Sequence, residues 1–249
     1  MTDFSYQLYS SRNFGPLPET LKMLGELGYA QAEGWGGLYA SPEAVETLKA
    51  NLALNGLTMP TGHIGFEQLR DDPGTVLDFA RALDMKALIV PIAPGRDMDV
   101  AGWQAFAGEF NEASKPYLDA GFDFGYHNHH FEFFDKGGDR LPIEIIMDAA
   151  PGAKLEMDVA WVHRGGHDPL KWISRYSDRL IAAHLKDIAP EGEKTDEDGW
   201  ADLGTGIMDW SAIWGALGQT SARYFVMEHD NPSDDRRFAT NSIKAAKAL

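Results

Sequence analysis

The chain has 249 residues, no cysteine, 44% hydrophobic residues and a formal net charge of −16. This length is normal for a single α/β barrel, and the apolar fraction is enough for a substantial core. Disulfides and thiolate chemistry are excluded, and the acidic surface disfavours nucleic acids and anionic membranes as partners.

The sequence also lacks the usual membrane and export signals. No apolar run reaches the ~18 residues of a membrane-spanning helix. The first residues lack the basic and apolar regions of a secretory signal. Together with the absence of cysteine, this pattern predicts a protein of the reducing cytoplasm.

Predicted strands and helices alternate along the chain. The strands begin near residues 4, 29, 57, 87, 122, 153, 180 and 224. Helical patterns follow at 16–27, 41–55, 73–83, 99–120, 142–149, from 168 onwards, 209–217 and 234–249. Pro116 should kink or end the fourth helix, because proline lacks a backbone N–H. The acidic segment 187–202 has no periodicity, which predicts a long exposed loop over one face.

Eight strand–helix units, with strand starts 25 to 44 residues apart, predict a parallel sheet. This number of units predicts one closed (β/α)8 TIM barrel, an α/β fold in a single domain over residues 1–249. An open doubly wound sheet is the main alternative. It is disfavoured because no Gly-x-Gly-x-x-Gly follows the first strand, where a dinucleotide site would need one.

The carboxyl ends of the predicted strands carry polar or ionisable side chains. In barrels of this kind the active site lies at these ends, so residues far apart in sequence converge. The candidates are Gln7, Glu33, His63, His127, Asp158, His184 and Glu228, with Glu132 a few residues beyond the fifth strand. Several carboxylates and imidazoles buried together need a counter-charge, which a divalent cation would provide.

Asp158, His184 and Glu228 are the clearest candidate metal ligands, because each ends an otherwise apolar strand. Each alone could be a hydrogen-bonded rim residue, but three on successive strands favour metal binding. The fourth ligand should come from the fifth strand, where the sequence offers His127 or Glu132. Imidazole and carboxylate ligands suit one divalent ion, for which we favour Mn²⁺ over Co²⁺, Mg²⁺, Fe²⁺ or Zn²⁺.

His63 and Lys186 are further catalytic candidates. His63 could act as an acid or base or bind a substrate hydroxyl, and a structural, hydrogen-bonded histidine is the alternative. Lys186 follows His184 by two residues and therefore points to the same side of the strand. There it could polarise a carbonyl or donate a proton, or instead form a salt bridge with Asp187 or Glu156.

Five residues are candidates for contact with a substrate. Gln7 and Glu33 could hydrogen-bond to it or serve the structure. Trp35 and Trp161 could wall a sugar pocket, since aromatic faces pack on sugar C–H surfaces, and a place in the core is the alternative. His129, just after the fifth strand, is counted with this set, and a position behind the site or on the surface is the alternative.

Several motifs give the chain a resemblance to a known family. They are Tyr126-His-Asn-His129 with Glu132-Phe133, Glu156-Met-Asp158-Val-Ala-Trp161, Gly166-His-Asp-Pro169, His184-Leu-Lys-Asp187, Leu203-Gly-Thr-Gly206 and Met227-Glu228-His-Asp230. With this ordered set the chain resembles the sugar phosphate isomerase/epimerase group of the xylose-isomerase-like TIM-barrel superfamily. Ketose 3-epimerases, hydroxypyruvate isomerases, inosose dehydratases, 3-keto-sugar-processing enzymes and apurinic endonucleases share these motifs, so the resemblance specifies no substrate.

The resemblance also implies a ligand set. In the epimerases the metal is held by Glu, Asp, His and Glu on strands five to eight, and the last three carry over to Asp158, His184 and Glu228. The strand-five glutamate falls at or next to His127 here, which puts a two-glutamate epimerisation in doubt. Glu132 could reach back to supply the carboxylate, and we favour it over His127 as the ligand.

The implied activity is that of a divalent-metal-dependent isomerase or epimerase of a sugar or keto-sugar, working by proton transfer through an enediolate. The catalytic candidates are Glu228, His127, Glu132, Lys186 and His63. A dehydratase or lyase of a keto-sugar or inosose is the alternative, and so is a non-catalytic sugar-binding barrel. An apurinic endonuclease is disfavoured by the acidic charge. We expect a small-molecule carbohydrate as partner, and pairing into a homo-oligomer stays open.

Overall fold

The structure, a computed structural model, describes residues 2–249. Eight parallel strands close into a barrel with helices between them, which confirms the predicted TIM barrel. These strands are β1 (Phe4–Gln7), β2 (Gln31–Gly34), β3 (Thr58–His63), β4 (Ala87–Val90), β5 (Asp123–His127), β6 (Lys154–Asp158), β7 (Leu180–Leu185) and β10 (Tyr224–Met227). Their order around the barrel is β1-β10-β7-β6-β5-β4-β3-β2, so β10 is its eighth strand.

The barrel strands are short and mostly buried, because helices cover their outer faces. In β4 and β7 every residue is buried. Side chains alternate along a strand, so one set fills the barrel and the other packs beneath the helices. Along β5, Tyr126 packs against the rings of Phe106 and Phe110 on the covering helix, whereas the next residue, His127, faces the barrel interior.

The helices of the described residues are α1 (Leu17–Leu27), α2 (Pro42–Leu54), α3 (Phe66–Asp71), α4 (Pro73–Ala82), α5 (Val100–Asp119), α6 (Pro142–Ala149), α7 (Val159–Arg164), α8 (Pro169–Arg175), α9 (Trp210–Leu217) and α10 (Asp235–Ala246). As expected, Ser41 caps α2 by accepting from Ala44 N at 3.2 Å. The sequence pattern does not predict α3 or α7, because six residues are too few to show a helical period. Within residues 2–249, no helix has both the length and the apolarity needed to cross a membrane.

Pro116 lies inside α5, which continues to Asp119, so the proline does not end this helix. Proline removes one helical N–H, but tertiary contacts hold the turn that contains it. Tyr117 is fully buried against the core, and its hydroxyl donates to Leu69 O at 2.6 Å.

The segment 187–202 differs from the predicted exposed loop. Its two ends pair as antiparallel strands outside the barrel, β8 (Asp187–Ile188) and β9 (Trp200–Ala201). Both strands are buried, and only residues 190–196 between them form a continuous exposed stretch. Two-residue strands are too short to show a pattern in the sequence. Trp200 packs edge-on against Trp161 with ring centroids 4.6 Å apart, so the segment covers one side of the carboxyl end of the barrel.

Asp187 binds this segment to the loop that follows it. The side chain is fully buried and accepts from the backbone N–H groups of Ile188, Gly204, Gly206 and Met208 and from the indole N–H of Trp210, at 2.8 to 3.2 Å. Gly206 permits the close approach, since a Cβ there would overlap the carbonyl oxygen of Ile188. The motifs around 187 and 203–206 therefore form one structural unit.

We expect Asp187→Ala to lower the free energy of unfolding by about 3 kcal/mol or more, because it leaves a set of buried N–H groups without an acceptor. Urea unfolding followed by circular dichroism measures the change. Asp78→Ala, at an exposed position of α4, is the control and should change the stability by less than about 0.5 kcal/mol. Small effects of both substitutions would contradict the role given to Asp187.

Candidate active site

Eight ionisable side chains are buried together at the carboxyl end of the barrel. They are Glu33, His63, His127, Glu156, Asp158, His184, Lys186 and Glu228, and none is more than 7% exposed. Parallel pairing sets neighbouring members side by side: Asp158 lies opposite His184, and His127 lies opposite Glu156. The strand ends singled out in the sequence therefore converge.

His184 contacts a carboxylate at each ring nitrogen. Nδ1 lies 2.9 Å from Glu228 Oε2, and Nε2 lies 2.7 Å from Glu33 Oε1. Gln7 Nε2 donates to the same Glu33 oxygen at 2.8 Å and so fixes that carboxylate. Burial alone would lower the pKa of His184, but the surrounding carboxylates, Glu156 first, outweigh burial and raise the pKa well above its ordinary value.

Glu156 is the carboxylate at the centre of three imidazoles. Its Oε2 lies 2.5 Å from His63 Nε2, 3.1 Å from His127 Nδ1 and 3.3 Å from His184 Nε2. Burial would raise the pKa of Glu156, but His184 and His63 outweigh burial and hold the pKa well below its ordinary value. Burial lowers the pKa of His127 to about 4, so this ring is neutral at pH 7.

One set of four side chains could hold a metal ion. Their ligand atoms lie within 4.8 Å of one another, and the residues are His127, Asp158, His184 and Glu228, here called the candidate metal group. Asp158 Oδ1 caps α7 by accepting from Trp161 N at 2.9 Å, whereas Oδ2 has no hydrogen-bond partner. Each histidine has its other ring nitrogen on a buried carboxylate, an arrangement that orients metal ligands. The donor set therefore fits a divalent ion.

A second set of possible ligands overlaps the first and consists of His63, His127, Glu156 and His184. In this set the ligand atoms already contact one another, since Glu156 Oε2 faces all three imidazoles. Glu156 Oε1 lacks a partner, as Asp158 Oδ2 does. The candidate metal group fits a divalent ion better, because its two carboxylates offset the ion's charge and the second set offers only one.

Lys186 is buried between two indole rings. Its Nζ lies 4.9 Å from the ring centroid of Trp161 and 4.2 Å from that of Trp200. It donates to Asp230 Oδ2 at 2.6 Å and to Glu228 Oε2 at 3.3 Å. Burial would lower the pKa of Lys186, but Asp230 and Glu228 outweigh burial and raise it. These partners differ from the two salt bridges considered from the sequence.

Glu132 lies outside both sets of possible ligands, so the structure does not bring it to the candidate metal group. Its Oε1 accepts from the Tyr126 hydroxyl at 2.6 Å, and its Oε2 accepts from His129 N at 2.9 Å. Tyr126 faces α5, on the opposite side of β5 from His127, and Glu132 bonds to it there. The residue from the end of β5 in the candidate metal group is His127, contrary to our preference for Glu132.

A cavity of about 460 Å³ opens above the candidate metal group, a size typical of small-molecule sites. Among the predicted substrate-binding residues, Trp35, Trp161 and His129 line it. Gln7 and Glu33 are not among the lining residues, because both lie beneath the cavity in the hydrogen-bonded network. Their position favours a role in orienting a histidine over contact with a substrate.

Two residues of the site do not stand out in the sequence pattern. Glu156, which faces three imidazoles, could have been found from its spacing. It precedes Asp158 by two residues, so both side chains point to the same side of β6. Asp230 binds Lys186 from beyond the end of β10. It follows Glu228 by two residues, but no periodicity extends past the strand to predict its direction.

The closed parallel barrel and the buried imidazoles and carboxylates at its carboxyl end define a TIM-barrel protein with a candidate metal site. Residues 21–249 match the family model of the xylose isomerase-like TIM barrel, and the chain belongs to this family. The resemblance drawn from the sequence motifs is thus confirmed.

Solved structures share the fold. A sugar phosphate isomerase/epimerase from Parabacteroides distasonis ATCC 8503 is 19% identical with a TM-score of 0.82, over 100% of this chain and 94% of that one. The probable 3-DHS dehydratase AsbF from Bacillus anthracis is 12% identical with a TM-score of 0.77, over 99% of both chains. A D-psicose 3-epimerase is 14% identical with a TM-score of 0.71, over 99% of this chain and 98% of that one. No curated protein matches the sequence. At such low identities the likeness establishes the fold alone.

We expect Glu132 to make the stability fall as the pH rises. Burial raises its pKa from 4.5 to about 7, against the hydrogen bond from Tyr126. Between these values the folded protein holds a proton that the unfolded chain releases, so the free energy of unfolding decreases from about pH 4.5 to about pH 7. Glu132→Gln should remove a loss of about 3 kcal/mol across this window, measured by urea unfolding with a chelator present.

Tyr126→Phe tests the cause of this pH dependence. It removes the hydroxyl that donates to Glu132, so the pKa should rise further and the loss of stability should extend to higher pH. If the free energy of unfolding depended on pH in the same way in the wild type and in Glu132→Gln, the buried, titrating position of Glu132 would be contradicted.

Proposed function

We propose that the protein is a divalent-metal-dependent isomerase or epimerase that acts on a sugar or keto-sugar by proton transfer through an enediolate. The observation that carries the proposal is the candidate metal group, buried beneath a cavity of about 460 Å³. Solved structures of the same fold include a sugar phosphate isomerase/epimerase and a D-psicose 3-epimerase, which supports a carbohydrate substrate.

His127, in place of Glu132, is the ligand that we assign to the fifth barrel strand, together with the other three members of the candidate metal group. Two imidazoles and two carboxylates suit Mn²⁺, which we favour as the ion. When bound, the ion would polarise a substrate carbonyl and offset the negative charge created by proton removal. Glu33 and Glu156 would orient the two histidine rings through their second nitrogens.

Glu228 is the group that we assign as the base. Burial would raise its pKa, but Lys186 and His184 outweigh burial and hold the pKa well below its ordinary value, so the carboxylate is ionised. It lines the cavity just beyond the end of β10 and can accept a proton from a substrate carbon there. Lys186 is absent from the cavity lining, so it acts through Glu228 as a positioning residue.

His63 is the group that we assign as the acid. It lines the same cavity from β3, three strands away from β10 around the barrel. Burial would lower its pKa, but Glu33 and Glu156 outweigh burial and raise it. Because Nε2 faces Glu156, the other ring nitrogen of the protonated imidazole can donate to a substrate oxygen.

Dehydration or a related elimination is the second candidate function. The position of Glu132 favours it, because a two-glutamate epimerisation needs a second glutamate facing the substrate. Glu228 is the one glutamate among the described residues that line the cavity, and Glu132 is bonded to Tyr126 instead. In this reaction Glu228 removes one proton, and a hydroxyl on the next carbon leaves as water with a proton from His63, so one base and one acid are enough. The fold shared with the probable dehydratase AsbF is compatible with this reaction.

Metal content tests the ligand assignment. Asp158→Ala should lose the ion, because one of only two carboxylates in the candidate metal group is removed. The affinity should fall by more than the roughly 10- to 100-fold that outer partners of metal ligands contribute. Elemental analysis after loading with Mn²⁺ and desalting measures the bound ion.

The control for metal content is Glu132→Gln, which also removes a buried carboxylate but lies outside the candidate metal group. It should keep the metal content of the wild type. Equal metal content in Asp158→Ala and the wild type would reject the site, and loss of metal from Glu132→Gln would reassign the ligand.

Solvent exchange tests the reaction. A keto-sugar turned over in D₂O should gain deuterium on the carbon next to its carbonyl, because the proton taken by Glu228 exchanges with solvent. Glu228→Gln should lower the rate of this exchange by roughly 100-fold or more, measured by NMR spectroscopy. Turnover without deuterium at that carbon would indicate a hydride shift or hydrolysis and contradict the proposed proton transfer.

A further inference from the structure

Three arginines surround the cavity without a carboxylate partner in residues 2–249, namely Arg12, Arg96 and Arg164. The other arginines of the described chain lie within 4.0 Å of a carboxylate, except Arg179, which donates to backbone carbonyls. Arg12 and Arg96 line the cavity, and Arg164 packs on Trp161, which lines it too. In a chain with 38 acidic and 22 basic residues, a cluster of unpaired arginines is not expected from composition.

Aromatic rings of the cavity wall lie next to two of these guanidinium groups. The central carbon of the Arg12 guanidinium lies 3.9 Å from the ring centroid of Tyr9. The same atom of Arg96 lies 5.6 Å from the ring centroid of Phe131. A cation–π contact of this kind stabilises a guanidinium at the cavity wall without using its N–H donors.

Arg96 has the most hydrogen-bonding capacity left. Its side chain donates no hydrogen bond within the described part of the chain, whereas Arg12 donates to two backbone carbonyls and Arg164 to one. It is exposed on the loop that follows β4. Its guanidinium N–H groups are therefore free to donate to a ligand in the cavity that it lines.

The charges around the cavity favour an anion on the side of Arg96. Burial and then Arg96 and Arg164 lower the pKa of His130, so both arginines act on this side of the cavity. Two aspartates, Asp198 and Asp230, line the cavity. Asp230 is already paired with Lys186, with 2.6 Å between its Oδ2 and the lysine Nζ. Unpaired arginines here would attract an anion that the overall charge of −16 repels.

We propose that the substrate is an anionic keto-sugar whose carboxylate or phosphate group binds Arg96, with Arg12 and Arg164 adding positive charge around it. The inference rests on the proposed function, because the reacting carbonyl would lie over the candidate metal group at the cavity floor. An anionic oxygen pair matches the planar fork of a guanidinium, which a sugar hydroxyl does not. The sugar ring would meet the aromatic wall formed by Trp35 and Trp161.

Equilibrium binding of three matched ketoses tests this anion site. The probes are D-fructose, D-fructose 6-phosphate and D-fructuronate, titrated by calorimetry into the full chain loaded with Mn²⁺. We expect at least one anion to bind roughly 10-fold or more tightly than D-fructose, and Arg96→Gln to remove most of this difference. Since Arg96 makes no side-chain hydrogen bond within residues 2–249, its replacement should leave the fold intact.

Arg81→Gln is the matched control. It also removes one arginine charge, but from an exposed position at the end of α4, which leads into the amino end of β4 and so lies at the opposite end of the barrel. It should leave the affinity ratio of anion to D-fructose unchanged.

The outcomes separate the two anions and the two proposals. If only D-fructose 6-phosphate binds more tightly than D-fructose, the site recognises a phosphate. If only D-fructuronate does, the site recognises a carboxylate. Either result supports the inference. It is overturned if neither anion binds more tightly than D-fructose, including the case in which no probe binds. It is also overturned if both arginine variants weaken anion binding equally. Binding needs no turnover, so missing deuterium exchange would reject the proposed reaction and leave the anion site standing.

Discussion

The structure depends on the balance of buried charge at the carboxyl end of the barrel. Four carboxylates, three imidazoles and one ammonium group are withdrawn from water there, and any of them left unpaired would be strongly destabilising. Two sets of pairings supply the balance. Lys186 faces Asp230, Glu228 and Asp158. His63 and His184 face Glu33 and Glu156. Lys186 in turn lies against Trp200 of β9, whose partner strand begins at Asp187. The outer segment therefore shields the charges that the barrel brings together.

Strand geometry decides which side chains enter this group. Glu156 and Asp158 stand two residues apart on β6, so both side chains point to the same side of the strand, which is the barrel interior. Asp158 also caps α7, which holds one carboxylate oxygen and leaves the other without a partner. On β5 the same alternation sends His127 inward and Tyr126 towards α5, and Glu132 is bonded on the outer side. An imidazole thus takes the place at the end of β5, with Glu156 behind it to orient the ring.

Much of this could be predicted from the sequence, because the features concerned are periodic. Seven barrel strands begin within one residue of the expected positions, and β2 begins at Gln31 instead of near 29. The polar residues at the strand ends converge as a parallel barrel requires. Three features depend on contacts between distant residues and could not be predicted. Asp187 binds the segment 187–202 to the loop that follows it, Glu132 accepts a hydrogen bond from Tyr126, and Lys186 is paired with Asp230.

We propose that the candidate metal group is the one metal site of this protein. Anomalous diffraction from crystals soaked in MnCl₂ tests it most directly, because the map locates the ion without reference to activity. We expect a single peak in contact with His127, Asp158, His184 and Glu228, and no peak at Glu132. A peak between His63 and Glu156, a peak at Glu132 or the absence of any peak would contradict it.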